Sequence, residues 1–312
     1  MMKELKFKDM KKIFSILAAT MMAVTVMAQE EEASKPVSFA YEAGAEIVSA
    51  YLWRGQYNGS LSFQPTASIG FDALDEAIQF RAGVWASLGA SDWEFKQNKN
   101  DGKGYTKFMP EVDVIASFTA YGASVGMNHY YYCDGSHFLS WKSKDERFFD
   151  AEDELNSTTM TEIWVGYNFD HFFGQNAYIN WYTVVAGADL TGIFEENEDG
   201  EEVRTGSKRF WSSYLELGYS YTWDRIGLTL GGEIGMSPWE SDLYGNSKFA
   251  VTNLSLKLTK EWEVGPCTID LFAQGSINPD GINSRNAYIA GAGDDKLYNQ
   301  KLNAALGCGF WF

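Results

Sequence analysis

Charged side chains recur on one parity of a strict alternation between apolar and polar residues. The acidic ones are Glu42, Glu46, Asp72, Glu111, Asp113, Glu162, Glu216, Glu233, Glu261 and Asp270, and the basic ones are Arg54, Arg81, Lys257 and Lys301. If each run is a β-strand, these side chains share one face of a sheet. In a closed sheet they would face inward, either lining a pore that attracts cations or packing into a network that fills the interior.

His129 is the best candidate for enzyme chemistry. A Ser–His site needs a base within reach of a nucleophile, and Ser157, Thr159 and Thr161 stand on the next predicted strand or just before it. No Gly-x-Ser-x-Gly segment surrounds them, so a polar residue at a rim is favoured over a catalytic one. We expect neither an enzyme nor a cofactor.

The acidic run that starts at Glu195 begins like a calcium-binding loop, with Gly200 at its sixth position. Gly206 stands at the twelfth position, where such a loop needs a bidentate Glu. We therefore expect a solvated acidic loop and no metal site.

Period-two alternation predicts twelve strands. They lie near residues 40–54, 60–73, 78–90, 109–121, 123–133, 159–170, 177–188, 210–223, 226–236, 248–263, 267–277 and 300–312. No unit recurs at a fixed period of 20–50 residues, which disfavours a propeller or solenoid. Pro65 lies inside the second of these strands and should mark a β-bulge, because it cannot donate a ladder hydrogen bond.

The connections between the strands are alternately short and long. Bacterial transmembrane barrels have short periplasmic turns and longer extracellular loops, and an even strand number puts both termini on the periplasmic side. The first connection, residues 55–59, is a short exception on the extracellular side. A soluble β-sandwich also alternates, but its polar face would carry more charge. Residues 39–312 are thus predicted to form a closed antiparallel transmembrane β-barrel, with interface aromatics at Tyr51, Trp53, Tyr219, Tyr221, Trp223 and Trp262.

Residues 1–28 have the order of a secretory signal peptide, with lysines, an apolar run from Ile13 to Val26, and Ala28 before the cut. The apolar run is shorter than the roughly 20 residues that a spanning helix needs. An acidic tether, residues 29–38, follows. Because the leader holds five lysines and two acids, the net charge of −17 becomes −20 without it. Such a charge excludes nucleic acid as a partner.

Cys133, Cys267 and Cys308 are an odd number of cysteines in a chain addressed to an oxidising compartment. Cys267 and Cys308 fall in the last two predicted strands, where a small apolar side chain is the expected role. We expect no disulfide bridge.

The end of the chain resembles the assembly signal of Gram-negative outer-membrane barrels. Phe312 closes a strand whose alternate residues are apolar: Leu302, Ala304, Leu306, Cys308 and Phe310. The resemblance implies insertion by the barrel assembly machinery, with Phe310 and Phe312 as the signal. Residues 49–55, Ser-Ala-Tyr-Leu-Trp-Arg-Gly, followed by an alternating strand, are similar to the first hairpin of TorF-type porins. The leader's end at Ala28-Gln29 is similar to that of exported proteins of Bacteroidota.

Together these features predict an outer-membrane, porin-like channel for passive passage of small polar solutes, cations above all, in contact with outer-membrane lipid. Two alternatives stay open at this point: a non-conducting barrel that binds partners through its long loops, and a hydrolase at the outer rim. Neither the solute nor the oligomeric state follows from the sequence.

Overall fold

The computed structural model describes residues 37–89, 93–97, 104–108, 111–132, 159–197, 200–241, 243–279 and 302–312. The signal peptide, all but the last two residues of the tether, Lys301, Cys133 and Ser157 were sequence predictions that lie outside these residues. No helix in the described ranges is long and apolar enough to cross a membrane.

Twelve strands form a closed antiparallel barrel in which each strand pairs with the barrel strands before and after it in the chain, and the first pairs with the last. The barrel strands are β1 (Ser38–Val48), β4 (Ser62–Ala73), β5 (Ile78–Gly89), β8 (Glu111–Ala120), β9 (Ala123–Tyr132), β10 (Thr159–Asn168), β11 (Ala177–Gly187), β14 (Ser213–Trp223), β15 (Leu228–Ser237), β16 (Ala250–Val264), β17 (Cys267–Ile277) and β18 (Leu302–Trp311). This confirms the predicted fold class.

Three further strand pairs lie in connections between barrel strands. They are β2 (Tyr51–Trp53) with β3 (Gln56–Gly59), β6 (Trp93–Gln97) with β7 (Gly104–Phe108), and β12 (Leu190–Glu196) with β13 (Glu202–Arg209). One short helix, α1 (Asp170–Phe173), lies between β10 and β11. Within the described ranges, β2 and β3 form a two-stranded sheet of their own and are not part of the barrel wall.

The two faces of the barrel wall differ in the way that the alternation predicts. On β10, Ile163 and Val165 are exposed on the outside, whereas Glu162 and Trp164 point inward. On β16, Leu254, Leu256 and Leu258 are exposed apolar residues on the same outer face. A continuous apolar outer face with a polar inner face is typical of a barrel surrounded by lipid.

The connections fall into two sets at the two ends of the barrel. At the end that holds the first residue of β1 and the last of β18, here called the terminal end, the connections are residues 74–77, 121–122, 169–176, 224–227 and 265–266. At the opposite end, here called the loop end, they are residues 49–61, 90–110, 133–158, 188–212, 238–249 and 278–301. The alternation of short and long connections is therefore regular around the whole barrel.

Two details of the first predicted strand were wrong. The wall strand β1 ends at Val48 and does not continue to residue 54, so the first connection is the long segment 49–61 and the predicted exception disappears. Tyr51 and Trp53 consequently do not belong to an aromatic girdle, because they lie on β2, away from the wall. The other four predicted interface aromatics, Tyr219, Tyr221, Trp223 and Trp262, are exposed near the terminal end.

Pro65 does not mark a bulge. Its strand keeps one register with β1, where Pro65 stands opposite Ala45, and the register with β5 is the same at Phe63 as at Thr66. The pairing with β5 is interrupted only at residues 64–65. The missing donor is thus accommodated by a local gap in one ladder, without an extra residue.

The last strand places its apolar residues on the outer face. Leu302, Leu306, Phe310 and Phe312 are exposed there, while Asn303 and Ala305 are buried on the inner face. Cys267 and Cys308 are both free thiols at outward positions. The backbone of Phe312 exchanges hydrogen bonds with Ala43 of β1, so the final residue helps to close the barrel.

Candidate functional site in the lumen

Residues 49–61, here called the inner hairpin, fold into the lumen at the loop end. Arg54 and Gly55 form its two-residue turn, with φ angles of 49° and 80°. Positive φ at both central residues is the primed turn that suits a tight hairpin. Gly55 is also required for space, since a Cβ atom there would lie 2.2 Å from the carbonyl oxygen of Thr252 on β16. The turn therefore presses against the wall and aims the Arg54 side chain across the lumen.

Arg54 reaches the wall opposite β1 and pairs with Glu162 on β10. Its Nη1 atom donates to Glu162 Oε1 at 2.6 Å, and its Nη2 atom donates to Oε2 at 2.9 Å. The two side chains are 7% and 0% exposed. Two parallel, charge-assisted hydrogen bonds of this kind are the strongest geometry available to a guanidinium and a carboxylate. This ion pair ties the tip of the inner hairpin to the far side of the barrel.

Aromatic rings enclose the Arg54 guanidinium. Its central carbon lies 4.1 Å from the ring centre of Tyr182, 4.7 Å from that of Tyr214 and 4.6 Å from that of Trp53. The Tyr244 hydroxyl accepts a further hydrogen bond from Nη1 at 2.7 Å. Burial alone would lower the pKa of Arg54, but Glu162 and the neighbouring tyrosines raise that pKa well above its ordinary value. The guanidinium is thus charged at every physiological pH.

Glu162 has further donors on the wall. Tyr130 Oη donates to Glu162 Oε2 at 3.0 Å, and Asn128 Nδ2 lies 3.3 Å from the same oxygen. The β10–β11 register shifts between Thr161 and Glu162, which is one of two register shifts in the described wall pairings. Because bulges re-aim side chains, this one helps to position the carboxylate.

A second segment, residues 238–249, covers the inner hairpin. Its Tyr244 is fully buried and stacks on Trp53, with ring centres 6.2 Å apart, and on Tyr214, with ring centres 5.3 Å apart. The Leu243 carbonyl accepts a hydrogen bond from Gln56 Nε2 at 2.9 Å. At its base Ser241 Oγ donates to Ser212 Oγ at 2.7 Å, and Ser212 in turn donates to Asp189, whose pKa is raised by burial. Among the described residues, these two connections therefore pack together inside the loop-end half of the lumen.

A polar network continues from this site around the wall. Glu233 accepts hydrogen bonds from Tyr214 Oη at 3.0 Å and from Asn253 Nδ2 at 2.5 Å, and Ser276 donates to Asn253 at 2.9 Å. Gly235 leaves the room that Tyr214 occupies, since a Cβ atom there would lie 1.8 Å from its hydroxyl oxygen. Glu216 accepts from Asn180 at 3.2 Å.

The terminal-end half of the lumen is open. A cavity of about 580 Å³ lies there, and its lining includes Glu46, Lys257, Glu261, Asp270, Thr259 and Trp311. Trp311 Nε1 donates to Asp270 Oδ2 at 2.6 Å, and Lys257 Nζ lies 4.0 Å from Glu46 Oε1. Ile115 faces the lumen by register and is nevertheless 38% exposed. The lumen is thus packed at one end and accessible at the other.

The register places every predicted inward residue of the described strands on the inner face. Arg81 and Asp72 form an ion pair, with Nη2 and Oδ1 2.7 Å apart, and Asp113 is buried on β8 with Glu111 two residues before it. Arg54 differs, because it enters the lumen from the inner hairpin and not from the wall. That these residues line a conducting pore stays a prediction, and Lys301 lies outside the described residues.

The other candidate sites show less organisation. His129 is almost fully buried and its Nδ1 lies 2.9 Å from Thr161 Oγ1, on the outward parity that the sequence indicated. The acidic run from Glu195 is the tip of the β12–β13 hairpin, of which Glu198 and Asp199 lie outside the described residues. Among the residues that are described, no cluster of His, Cys, Asp and Glu has the arrangement of a metal site.

Sequence reasoning missed the aromatic partners of Arg54. Tyr182 and Tyr214, and also Tyr130, which donates to Glu162, stand at inward positions of the alternation, so their direction was available from parity. Tyr244 lies in a connection and has no periodic signal. Gly55 was predicted to begin a turn after a wall strand that ends at Arg54, but nothing local shows that the turn enters the barrel.

Comparisons with known proteins give only distant likenesses. No family model and no curated protein matches the chain in sequence. The structure is similar to the COG4313 outer membrane channel from Pseudomonas putida F1, with a TM-score of 0.39, 9% identity and coverage of 91% of this chain and 97% of that one. It is similar to a Pseudomonas aeruginosa FadL homologue, with a TM-score of 0.32, 11% identity and coverage of 88% and 75%. For Neisserial surface protein A the TM-score is 0.20, with 10% identity and coverage of 89% and 98%.

These scores are too low to carry an argument about function, so the barrel is established by its own strand pairing. The similarity to TorF-type porins and to exported proteins of Bacteroidota stays a prediction from the sequence.

Proposed function

We propose that this protein is an outer-membrane barrel of a Gram-negative bacterium and conducts small polar solutes through its lumen, cations in preference to anions. The observation that supports this most is the accessible polar cavity of about 580 Å³ in the terminal-end half of the lumen. A barrel of this size lies between those that fill completely with side chains and those that hold a wide channel. A narrow pathway that is constricted at the inner hairpin is consistent with the packed loop-end half and the open terminal-end half of the lumen.

The charge of the inner face supports a preference for cations. Eleven acidic residues of the described wall strands point inward by register, the ten predicted ones and Glu263, against Arg81 and Lys257 from the wall and Arg54 from the inner hairpin. Arg54 is neutralised by Glu162, so the constriction itself adds no net positive charge. Rings of carboxylates around a narrow pathway raise the local concentration of cations.

The address of the protein is part of the proposal. The leader of residues 1–28 supports export, and the exposed apolar outer face of the barrel supports insertion in lipid. Phe310 and Phe312 stand outward at the end of the last strand, which is where a C-terminal assembly signal would be accessible to the barrel assembly machinery.

A second candidate is a sealed barrel that binds partners with its long loops. It is favoured by one observation, the burial of the Arg54–Glu162 pair beneath a segment that includes Leu243 and Tyr244. The same burial is compatible with conduction if the inner hairpin leaves its seat, so conductance separates the two candidates.

The test is conductance of the purified full chain in planar lipid bilayers, with heat-denatured protein as the control. We expect discrete channels of small conductance, and a zero-current potential across a salt gradient that has the sign of cation preference. Anion preference would contradict the inward acidic face as the selectivity element. A variant in which a flexible Gly/Ser segment replaces residues 50–60 lacks the inner hairpin. The absence of channels from both this variant and the wild-type protein would favour the sealed barrel.

A further inference from the structure

We infer that the inner wall carries a binding site for a planar organic cation of the guanidinium type, and that Arg54 occupies this site as a tethered stand-in. The wall residues that form it are Glu162, Tyr130, Tyr182 and Tyr214, here called the carboxylate–tyrosine cage. The inference rests on the proposed function, since it names the class of solute for which the same lumen is built.

The cage exists independently of the inner hairpin. All four of its residues belong to the adjacent wall strands β9, β10, β11 and β14, which are held together by backbone pairing with one register shift, at Glu162. Tyr130 Oη orients the Glu162 carboxylate through a hydrogen bond of 3.0 Å. Removal of Arg54 would therefore leave an oriented, buried carboxylate between two tyrosine faces.

The geometry selects a guanidinium over a compact ammonium ion. Glu162 presents both oxygens to two nitrogen atoms, at 2.6 Å and 2.9 Å, which a planar fork satisfies and a point charge does not. Tyr182 and Tyr214 lie 4.1 Å and 4.7 Å from the central carbon, within the range of cation–π attraction. A delocalised cation is also less strongly hydrated, so it loses less on entering a buried site.

The inner hairpin packs against the wall with several buried polar atoms unsatisfied. This is expected of a segment that can move away from the wall. Both amide atoms of Asn58 and the Oε1 atom of Gln56 are buried without a hydrogen-bond partner among the described residues. On the facing wall the same holds for Asn303 Oδ1 and Thr252 Oγ1. Buried polar atoms without partners destabilise the packed position of the hairpin. Water would supply the missing hydrogen bonds if the hairpin moved out.

The cage and the unsatisfied polar atoms around the inner hairpin together point to an exchange of Arg54 for a solute. A solute that carries a guanidinium group competes with Arg54 for Glu162, and its binding releases the tip of the inner hairpin from the wall. The solute would then stand in the lumen at the point where the pathway is narrowest, with the acidic cavity of the terminal-end half beyond it.

The experiment measures binding of methylguanidinium to the Arg54→Ala full-length protein in detergent, by titration calorimetry. N-methylurea, which has nearly the same shape and no charge, and methylammonium, which has the charge without the planar fork, are the comparison probes. We expect saturable binding of methylguanidinium to Arg54→Ala, at least about tenfold weaker binding of the other two probes, and much weaker binding to the wild-type protein, whose cage is filled.

The matched control is the double variant Arg54→Ala/Glu162→Gln, which keeps the shape of the cage and removes its charge. We expect it to lose methylguanidinium binding by about tenfold or more, which corresponds to about 1.4 kcal/mol. Equal binding to the two variants would overturn the inference, because the cation would then sit elsewhere. Equal binding of methylammonium would also overturn it, since any cation would then satisfy the lumen.

Arg54→Gln serves if Arg54→Ala does not assemble as a barrel, because a glutamine can donate a hydrogen bond to Glu162 and places no competing charge in the cage. Methylguanidinium should still bind this variant, and the binding should disappear in Arg54→Gln/Glu162→Gln. Absence of binding to Arg54→Gln would contradict the inference. Because these measurements do not need conduction, a silent bilayer experiment would overturn the proposed function while leaving the cage testable.

Discussion

The packing of the loop-end half of the lumen depends on Arg54. A buried charge is tolerated only when it is paired and fully hydrogen-bonded, and Arg54 meets this condition through Glu162, Tyr244 and three aromatic faces. Its partner is 108 residues away in the chain. The role of the pair therefore belongs to the folded barrel and has no local counterpart in the sequence.

Replacement of Glu162 alone should be costly. Glu162→Gln leaves the Arg54 guanidinium buried without a counter-ion, and breaking a buried pair in this way typically costs about 3–5 kcal/mol. We expect a large loss in the free energy of unfolding, measured by urea-induced unfolding in detergent. The double variant Arg54→Ala/Glu162→Gln should be closer to the wild type than Glu162→Gln is, because it leaves no unpaired charge. A single variant as stable as the wild type would show that the pair is not coupled.

Glu111 and Asp113 test the inward acidic face on a strand that supplies no residue of the Arg54–Glu162 pair, although Asp113 stands opposite Tyr130. They stand two residues apart on β8, so both side chains point to the same face. Glu111→Gln with Asp113→Asn should reduce the preference for cations, most clearly in dilute salt, where the Debye length grows from about 10 Å at 0.1 M to about 30 Å at 0.01 M. Zero-current potentials across a salt gradient provide the measurement.

The matched control for that prediction is Glu201→Gln with Glu202→Gln, which removes the same charge from the exposed tip of the β12–β13 hairpin. It should leave the selectivity nearly unchanged. Equal effects of the two double variants would show that the overall charge of the protein, and not the inner face, sets the preference.

At the scale of elements, the alternation predicted all twelve wall strands and the two sets of connections, because lipid outside and polar groups inside impose a period of two on every wall strand. The prediction from alternation was wrong where the alternation continues beyond the end of a wall strand. Residues 51–53 alternate like β1 before them, yet they form an inner strand. Period two describes a strand with two unlike faces and does not say which sheet the strand joins.

The candidate site was also only partly predictable from the sequence. Parity gave the inward direction of Glu162 and placed Arg54 at the inward-facing end of the first predicted strand, just before a connection that begins at Gly55. Their contact was not predictable, because it depends on a hairpin that crosses the lumen and on residues 238–249, which cover it. Pro65 is a smaller case: its effect on the ladder was expected, but the wall absorbed it without an extra residue.

The last strand carries an element-scale prediction about biogenesis. Phe312 is 66% exposed on the outer face and its backbone pairs with Ala43, so it serves both as an apolar terminus and as part of the closure between β18 and β1. Deletion of Phe312 should sharply lower the amount of protein in the outer membrane, measured by fractionation and immunoblotting. Phe312→Trp, which keeps an aromatic terminus, is the control and should assemble well. Unchanged levels of the truncated chain would contradict the assembly role.

At the scale of the whole molecule, the barrel has two unlike halves. The loop-end half is filled by the inner hairpin and residues 238–249, and the terminal-end half holds an accessible acidic cavity. Because the cavity opens at one end of the lumen, a solute can cross the lumen only if the segments that pack the loop-end half move aside. We therefore predict that the inner hairpin, and not the wall, limits conductance.

The most direct measurement compares single-channel conductance of the wild-type protein with that of a variant in which residues 50–60 are replaced by a flexible Gly/Ser segment of equal length. This variant lacks Arg54 and both inner strands but retains every residue of the wall. We predict small channels from the wild type and channels of several-fold larger conductance from the variant, with the preference for cations retained. Equal conductance of the two proteins, or no conductance from either, would contradict the account.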